Sequence, residues 1–307
     1  MTRNTITRRT LLAGAGAAGL GAATGARFPS HAQSGPLLEA VPSSGEKLPA
    51  VGLGSWITFN VGDDRVLRGE CTAVMEAFFQ AGGRLIDCSP MYGSSQDVIG
   101  HGLEALGHPK ALFSADKVWT SSDGAEQVAE TQARWGVPRF DLLQVHNLVA
   151  WEKQLPLLTA MKEEGRLGHV GITTSEGRRH DLFEEIMRGH RLDFVQLTYN
   201  IVDREAEQRL LPLALERGMA VLANRPFQQG ALTRRLAPHP LPQWAAEIGA
   251  RSWAQFILKF IVSHPAVACA IPATSRVDHV RENMEAASGP LPDSAMRERM
   301  AAHVAAL

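Results

Sequence analysis

Short apolar runs alternate with longer amphipathic stretches along the chain from residue 51 onward. The apolar runs are nearly continuous, which is typical of strands in a sheet that is buried on both faces. They predict strands at Val51–Trp56, Arg84–Asp87, Leu112–Val118, Leu142–His146, His169–Thr173, Phe194–Leu197, Ala220–Ala223 and Val267–Ile271. The stretches between them predict helices at Arg68–Ala81, Gln96–Leu106, Gly124–Trp135, Glu152–Glu164, Arg179–Arg188, Glu205–Glu216, Ser252–Val262 and Val277–Ala286. Eight strand–helix units with parallel pairing predict a single-domain α/β fold, the (β/α)8 TIM barrel.

Three segments fall outside this repeat. Leu37–Pro49 precedes the first strand and predicts a small hairpin over the barrel floor. Asp293–Ala306 follows the last helix and predicts a terminal helix packed on the outside. The longest irregular stretch, Arg225–Pro242, lies between the seventh strand and its helix. A loop of this length in a compact domain is usually functional or mobile.

The first 32 residues read as a processing segment separate from the barrel, which occupies residues 33–307. Arg8-Arg9 precedes a mild, Gly- and Ala-rich apolar run, and Ser30-His31-Ala32 offers a cleavage site of the A-x-A type. The segment resembles a twin-arginine export signal, with a chance basic N-terminus as the alternative. The apolar run is too short and Gly-rich for a membrane span of ~20 residues. We therefore expect a periplasmic or exported protein, handled by the twin-arginine translocation machinery and without stable membrane association after signal removal.

Composition excludes several partners. A net charge of −1 gives no reason to expect nucleic acid or an anionic membrane surface. The three cysteines, Cys71, Cys88 and Cys269, have neither CxxC nor Cys/His spacing, which argues against a disulfide framework or a zinc site. We expect no metal ion, and we interpret Cys88 as a small buried residue at a strand end, with a reactive thiol as the alternative.

Polar side chains stand where three of the predicted strands end. The second strand ends at Asp87, and a Pro-containing turn then presents Tyr92. Lys117 and His146 end the third and fourth strands. In a parallel barrel these strand ends converge on one mouth, where such barrels carry out their chemistry. Alone, Asp87 and Lys117 could be an ion pair at a buried rim and His146 a hydrogen-bonding residue, but the four together predict a proton-transfer site.

Five segments in order resemble motifs of the aldo-keto reductase family, and together they cover nearly the whole chain after the signal. They are Gly52-Leu53-Gly54-Ser55-Trp56; Leu85 to Gly93, with Asp followed five residues later by Tyr and then Gly; Ala115-Asp116-Lys117-Val118-Trp119; Asp141-Leu142-Leu143-Gln144-Val145-His146; and Ile271-Pro272 through Arg281-Glu282-Asn283. The resemblance implies a monomeric oxidoreductase that reduces small aldehydes or ketones to alcohols by hydride transfer from NADPH.

The four polar residues suit that reaction on physical grounds. Reduction of a carbonyl needs a proton for the developing alkoxide and donors that stabilise its charge. Tyr92 is the candidate general acid, and the ammonium of Lys117 should lower the pKa of its phenol. Asp87 can hold that ammonium, and His146 can donate to the carbonyl oxygen or relay a proton. Tyr199, the second of two tyrosines, lies beyond the sixth strand, where we expect wall packing.

The family resemblance also implies cofactor contacts. Gln196 matches a glutamine that binds the nicotinamide carboxamide, and Thr173-Thr174 replaces a common Ser-Asn pair. Asn224 stands where an aromatic side chain often stacks on the nicotinamide, and we expect Arg225 to contact phosphate, with an exposed rim position as the alternative. Ala273 replaces the usual Lys or Gly near the 2′-phosphate. The remaining candidates there, which favour NADPH over NADH, are Thr274, Ser275, Arg276, His279 and Asn283.

Substrate contacts are predicted from aromatic residues near the mouth. Trp56, Phe59 and Trp119 should form an apolar wall of a fairly open pocket. An alternative function is a nicotinamide-nucleotide-binding barrel that acts as a sensor or partner subunit with little turnover, motivated by Asn224 and Arg225. A third is a barrel isomerase or lyase without nicotinamide, which would bind no such cofactor.

Overall fold

The computed structural model describes residues 35–307, so the predicted signal segment, residues 1–32, lies outside the described part of the chain. The strands are β1 Leu38–Ala40, β2 Lys47–Pro49, β3 Leu53–Gly54, β4 Leu85–Asp87, β5 Phe113–Val118, β6 Phe140–Val145, β7 Leu167–Thr173, β8 Phe194–Thr198, β9 Ala220–Asn224 and β10 Val267–Ala270. The helices are α1 Arg65–Gln80, α2 Ser95–Ala105, α3 Gly124–Trp135, α4 Trp151–Glu163, α5 His180–Gly189, α6 Leu210–Arg217, α7 Ala231–Leu236, α8 Trp253–Val262, α9 Val277–Glu285 and α10 Ser294–Ala305.

Strands β3 to β10 form one parallel sheet in which each strand pairs with its neighbours in sequence. The seam between the first and last of them is closed by parallel bridges from Val51 to Ala270 and from Gly54 to Ala273. Gly54 has to be glycine at this seam, because a Cβ atom would lie 2.9 Å from the carbonyl oxygen of Ile271. The predicted (β/α)8 barrel is confirmed.

Two predicted boundaries differ for a clear reason, and both concern the chain around β9. The predicted helix Glu205–Glu216 is a 3-10 turn at Glu205–Glu207 followed by α6, because Pro212 lacks an N–H and is tolerated only in a first turn. The predicted irregular stretch Arg225–Pro242 contains the two-turn helix α7. The irregular part of that stretch is therefore shorter than predicted.

The barrel interior is apolar at its floor. Side chains of Leu85, Phe113, Leu142, Phe194 and Leu222 form one buried cluster there with Val41 and Leu48 of the N-terminal hairpin. His169 packs between the rings of Phe113 and Phe194, and its ring nitrogens reach the Asp141 carbonyl oxygen at 3.0 Å and the Ser44 hydroxyl at 3.1 Å. The hairpin β1–β2 thus closes the floor as predicted, and polar chemistry is left to the opposite end.

The terminal helix α10 packs on the outside of the barrel as predicted. Its buried Arg297 donates to the hydroxyl of Tyr199, to the carbonyl oxygen of Phe260 and, at 2.9 Å, to the Ser263 hydroxyl. The same guanidinium lies 3.0 Å from the Glu207 carboxylate. Tyr199 is therefore part of the barrel wall, as predicted. No helix within residues 35–307 is long and apolar enough to cross a membrane.

Candidate active site

Three strand ends and one turn bring the predicted catalytic residues together. Asp87 is the last residue of β4, Lys117 the penultimate residue of β5, and His146 directly follows β6. Tyr92 lies in the turn after β4, where its N–H donates to the Ser89 carbonyl oxygen at 3.0 Å. The Nζ of Lys117 lies 5.1 Å from the centre of the Tyr92 ring, whose centre is 5.7 Å from that of the His146 ring.

A buried ion pair lies at the centre of this group. The Nζ of Lys117 is 2.7 Å from Oδ2 of Asp87 and donates at 2.6 Å to the Cys88 carbonyl oxygen. The second oxygen, Oδ1, accepts from the Nε2 of Gln196 at 2.8 Å. Burial alone would lower the pKa of Lys117, but Asp87, reinforced by Tyr92 and Asp116, outweighs burial and holds that pKa above its ordinary value. Lys117 is therefore a fixed cation beneath Tyr92.

Burial dominates the acidity of Tyr92. It raises the pKa of the Tyr92 phenol above its ordinary value, while the ammonium of Lys117 acts in the opposite direction. The expectation that Lys117 lowers this pKa is right for the pairwise interaction and wrong for the net shift. The reason is that burial destabilises the phenolate by removing its hydration, and this effect is larger than the stabilisation that the Lys117 ammonium provides. Tyr92 thus keeps its proton at neutral pH.

His146 is held as a neutral imidazole. Burial, reinforced by the Lys117 charge, keeps the pKa of His146 well below its ordinary value. Its Nδ1 lies 2.7 Å from the hydroxyl oxygen of Ser89, a buried contact that the sequence analysis missed. The next two residues, Asn147 and Leu148, have left-handed backbones with φ of 50° and 56°. The Asn147 N–H donates to the Thr173 hydroxyl at 2.9 Å, so the predicted cofactor residue Thr173 also fixes this turn.

A second buried carboxylate, also missed from the sequence, lies directly behind Lys117. Asp116 accepts from the Lys117 N–H at 2.6 Å and from the Nε2 of Gln96 at 3.0 Å. Burial raises the pKa of Asp116 to about 7, although Lys117 opposes this. An aspartate directly before Lys117, inside a strand that is buried throughout, was the available sign of this group.

A cavity of about 730 Å³ opens at this end of the barrel and is lined by Asp87, Tyr92 and His146. A volume of this size is within the range of small-molecule sites. Among the predicted cofactor and substrate residues, those that line it are Trp56, Thr173, Gln196, Asn224, Arg225, Thr274, His279 and Asn283. Those absent from the lining are Phe59, Trp119, Thr174, Ser275 and Arg276.

The substrate wall differs from the prediction. Phe59 is fully buried in the hydrophobic core, because the loop after β3 turns its ring inward. Trp119 is 42% exposed and lies outside the cavity, since its backbone is held towards α3 by hydrogen bonds to Gln127. Ile57 and Met91 line the cavity in their place. Ile57 is 60% exposed and has a φ of 64°, which is unusual for a β-branched residue.

The basic candidates are committed to other partners. Arg276 is exposed, pairs with Asp278 through an Nε 3.0 Å from Oδ1, and is absent from the cavity lining. The buried Thr174 donates through its hydroxyl to the Arg178 carbonyl oxygen at 2.5 Å. Arg225 does line the cavity, where its guanidinium lies 2.8 Å from the Glu176 carboxylate. Glu176 was not predicted, because the two residues come from loops after β7 and β9 that only the fold brings together.

Asn224 bridges two strand ends. Its Oδ1 accepts from the Thr198 hydroxyl at 2.7 Å, and its Nδ2 donates to the Thr174 carbonyl oxygen at 2.9 Å. The residue is thus a polar tie between β7, β8 and β9 at the position where an aromatic stack was considered.

The cavity edge formed by α9 fits an anionic group. The N-cap residue of α9, Arg276, makes no side-chain capping hydrogen bond, and the first N–H groups of a helix have no intrahelical acceptor. Thr274, His279 and Asn283 line the cavity beside that turn. A helix N-terminus with hydroxyl and imidazole donors is suited to phosphate oxygens. In residues 35–307 no group of three His, Cys, Asp or Glu side chains is placed to hold a metal ion.

Comparison with known proteins agrees with the fold. Residues 50–303 match the family described as Aldo/keto reductase family, and the chain belongs to it. It is accordingly an NAD(P)H-dependent oxidoreductase of the aldo-keto reductase type.

Named relatives cover most of the barrel. Methylglyoxal reductase YeaE of Escherichia coli is 27% identical over 77% of this chain and 84% of its own length. An uncharacterized oxidoreductase of Schizosaccharomyces pombe is 32% identical over 71% of this chain and 74% of its own. An aldo/keto reductase from Klebsiella pneumoniae, solved in complex with NADP and acetate, superposes with a TM-score of 0.72 at 20% identity, covering 86% of this chain and 94% of that one.

Asp116 generates a prediction about stability and pH. Because its pKa is about 7 when folded, against 3.8 ordinarily, the folded chain binds more protons between these values, and stability falls as pH rises through that window. Asp116→Asn should remove this fall, so the variant gains stability relative to wild type between pH 5 and pH 8, as measured by urea unfolding. Asp63→Asn, on an exposed loop, is the control for loss of a charge. A stability difference between Asp116→Asn and wild type that does not change with pH would contradict the assignment.

Proposed function

We propose that the chain reduces small aldehydes or ketones to alcohols with NADPH, and that Tyr92 is the general acid. One observation carries the proposal: the Tyr92 phenol lines the cavity, and its ring centre lies 5.1 Å from the buried ammonium of Lys117. Asp87 holds that ammonium in place, and Gln196 in turn holds Asp87. This arrangement suits the transfer of a proton to an oxygen that is gaining charge.

Each residue has a separate task. NADPH, when bound, supplies the hydride. Tyr92 transfers its phenolic proton to the carbonyl oxygen, and the fixed charge of Lys117 stabilises the phenolate that remains. His146, a neutral imidazole, donates a hydrogen bond to the same oxygen and orients it. Asp87 keeps Lys117 charged and in position.

Small carbonyl compounds are the proposed substrates. Two relatives in Escherichia coli are named methylglyoxal reductases, at 27% and 24% identity. The cavity is open to solvent beside the exposed Ile57 and Met91, which supports short substrates with an apolar part. The names of the relatives and the complete set of four catalytic residues favour a reductase over a sensor or partner subunit.

NADPH is the proposed cofactor, with NADH as the less favoured one. The Klebsiella pneumoniae neighbours were solved with NADP and with NADPH, whereas one Escherichia coli relative is named NADH-specific. We assign the adenosine phosphate end to Thr274, His279, Asn283 and the first turn of α9. The Gln196 amide donates one hydrogen bond to Asp87, and its carbonyl oxygen remains able to accept from the nicotinamide carboxamide.

Arg225 is the proposed diphosphate contact. Its side chain is mostly buried in the cavity wall, and Glu176 is its anionic partner in the described structure. A bound diphosphate would compete with that carboxylate for the guanidinium, since both are oxygen anions. Glu176 therefore weakens cofactor binding and eases cofactor release.

We also propose export by the twin-arginine route, which carries folded proteins, so that cofactor can be bound before transport. The Arg8-Arg9 pair and the cleavage site before Gln33 support this. Changing both arginines to lysine should keep the full-length chain in the cytoplasm, measured by fractionation and mass spectrometry of a bacterial host with a twin-arginine system. Unprocessed wild-type chain confined to the cytoplasm would refute the proposal.

The reaction is tested by Tyr92→Phe. The variant lacks the phenolic proton and should lose about 100-fold or more in kcat for aldehyde reduction, because a positioned acid contributes on that scale. NADPH oxidation is followed by absorbance across a panel of small aldehydes, including methylglyoxal. Trp119→Phe changes an exposed side chain that is absent from the cavity lining and should retain activity. Turnover by Tyr92→Phe equal to wild type would refute the role of Tyr92.

The role of Glu176 is tested by Glu176→Gln. Removing the carboxylate frees both of its arginine partners, Arg225 and the more exposed Arg178, so NADPH should bind about threefold to fivefold more tightly at low salt, the range expected for a partly exposed ion pair. Fluorescence titration measures Kd, and the gain should shrink as salt rises. Glu184→Gln loses the same charge on α5, where Glu184 pairs with Arg188 and Arg209 outside the cavity, and should leave Kd unchanged. An unchanged or weaker Kd in Glu176→Gln would contradict the competition.

A further inference from the structure

Ser89 is not among the predicted site residues, and the family match gives it no role. It lies two residues after Asp87 and is fully buried. Its hydroxyl oxygen is 2.7 Å from Nδ1 of His146 and accepts from the N–H of Met91 at 3.2 Å. The Ser89 hydroxyl therefore has two partners: the Met91 N–H, which can only donate, and the His146 Nδ1, which can donate or accept.

Counting protons decides which way the bond to His146 runs. A serine hydroxyl carries one proton and can accept two hydrogen bonds, and the Met91 N–H can only donate. If Nδ1 also donated, the Ser89 proton would have no acceptor among residues 35–307 at a site without exposed surface. A buried donor without an acceptor is costly. The low-cost arrangement has Ser89 donating to Nδ1, which leaves the imidazole proton on Nε2.

We propose that Ser89 is a positioning residue that fixes His146 as the Nε2–H tautomer, so that a neutral imidazole presents a hydrogen-bond donor to the carbonyl oxygen. His146 lines the cavity, and with Nδ1 occupied by Ser89 the nitrogen left for a substrate is Nε2. This inference rests on the proposed reductase function for its consequence, but the tautomer itself can be measured without any substrate.

The surroundings of His146 favour the neutral form. Burial of the His146 ring disfavours an imidazolium, and the positive charge of nearby Lys117 disfavours it further. The Tyr92 ring meets the His146 ring edge-on at 86°, and the charge of Asp87 is neutralised by Lys117. Ser89 adds to this by donating to the nitrogen that protonation would occupy.

The first test is the nitrogen-15 spectrum of the histidine rings in the full-length protein without substrate. The His146 signals are identified among the 11 histidines by their absence in His146→Gln. The expected pattern is a protonated Nε2 and an unprotonated Nδ1 at neutral pH. A protonated Nδ1, or averaged signals of both tautomers, would overturn the inference.

The second test compares Ser89→Ala with Ser89→Thr. Alanine removes the donor, so the tautomers should mix and kcat/KM for aldehydes should fall about 10-fold, as expected for one hydrogen bond to a group at the reacting centre, with Kd for NADPH unchanged. The acid limb of the pH profile should also move to higher pH, because a donor to the neutral ring has been lost. Threonine keeps the hydroxyl and should restore the wild-type tautomer. An Ala variant with the wild-type ring pattern and full activity would overturn the role of Ser89.

The two proposals fail in different ways. A wild-type chain that has the Nε2–H pattern but reduces no carbonyl would refute the reductase function and leave the tautomer assignment standing. An active wild-type chain with protonated Nδ1 would refute the role of Ser89 alone. The spectrum of the unmodified chain gives a result even where a variant does not fold.

Discussion

The buried ion pair between Lys117 and Asp87 is the interaction on which the rest of the site depends. Removing two charges from water costs several kcal/mol per ion, and the cost is offset only where every remaining lone pair and proton finds a partner. Here the Gln196 amide and the Cys88 carbonyl oxygen supply those partners. Because the contributors come from β4, β5 and β8, the pair also fixes three strand ends relative to one another. Tyr92 and His146 are positioned against this rigid base.

The apolar contacts that stabilise the barrel and the polar groups of the candidate site lie at opposite ends of its axis. At the floor, the hairpin β1–β2 and the rings around His169 fill the interior with apolar contacts. At the mouth, the same parallel strands end in polar residues and hand over to loops with several left-handed backbones, Arg225 and Glu176 among them. Strained conformations of this kind persist only where a well-packed structure imposes them. The site is therefore built on loops whose geometry the floor and wall hold in place.

Sequence reasoning reached the barrel from its apolar runs, and it reached the four candidate catalytic residues from polar positions at or just after strand ends together with the family resemblance. It failed where the answer depends on which way a loop turns a side chain. Phe59 is buried, Trp119 faces outward and Arg276 is paired with a residue two positions along the chain. Glu176 was missed because its partner is Arg225, some fifty residues later, across a cavity that exists only in the folded barrel. The net pKa of Tyr92 likewise depends on how deeply its hydroxyl is buried, which no spacing reveals.

The seam between β3 and β10 links ligand binding to the completion of folding. Gly54 and Ala273 form one of the two bridges that close the ring, and both also line the cavity. These residues are far apart along the chain, so their contact carries one of the largest loop-closure costs in the fold. A ligand that spans the seam binds only the closed ring and shifts the equilibrium towards it. A chain with an occupied cavity would therefore have its last strand paired in the sheet. This matters for a chain that is proposed to cross a membrane already folded.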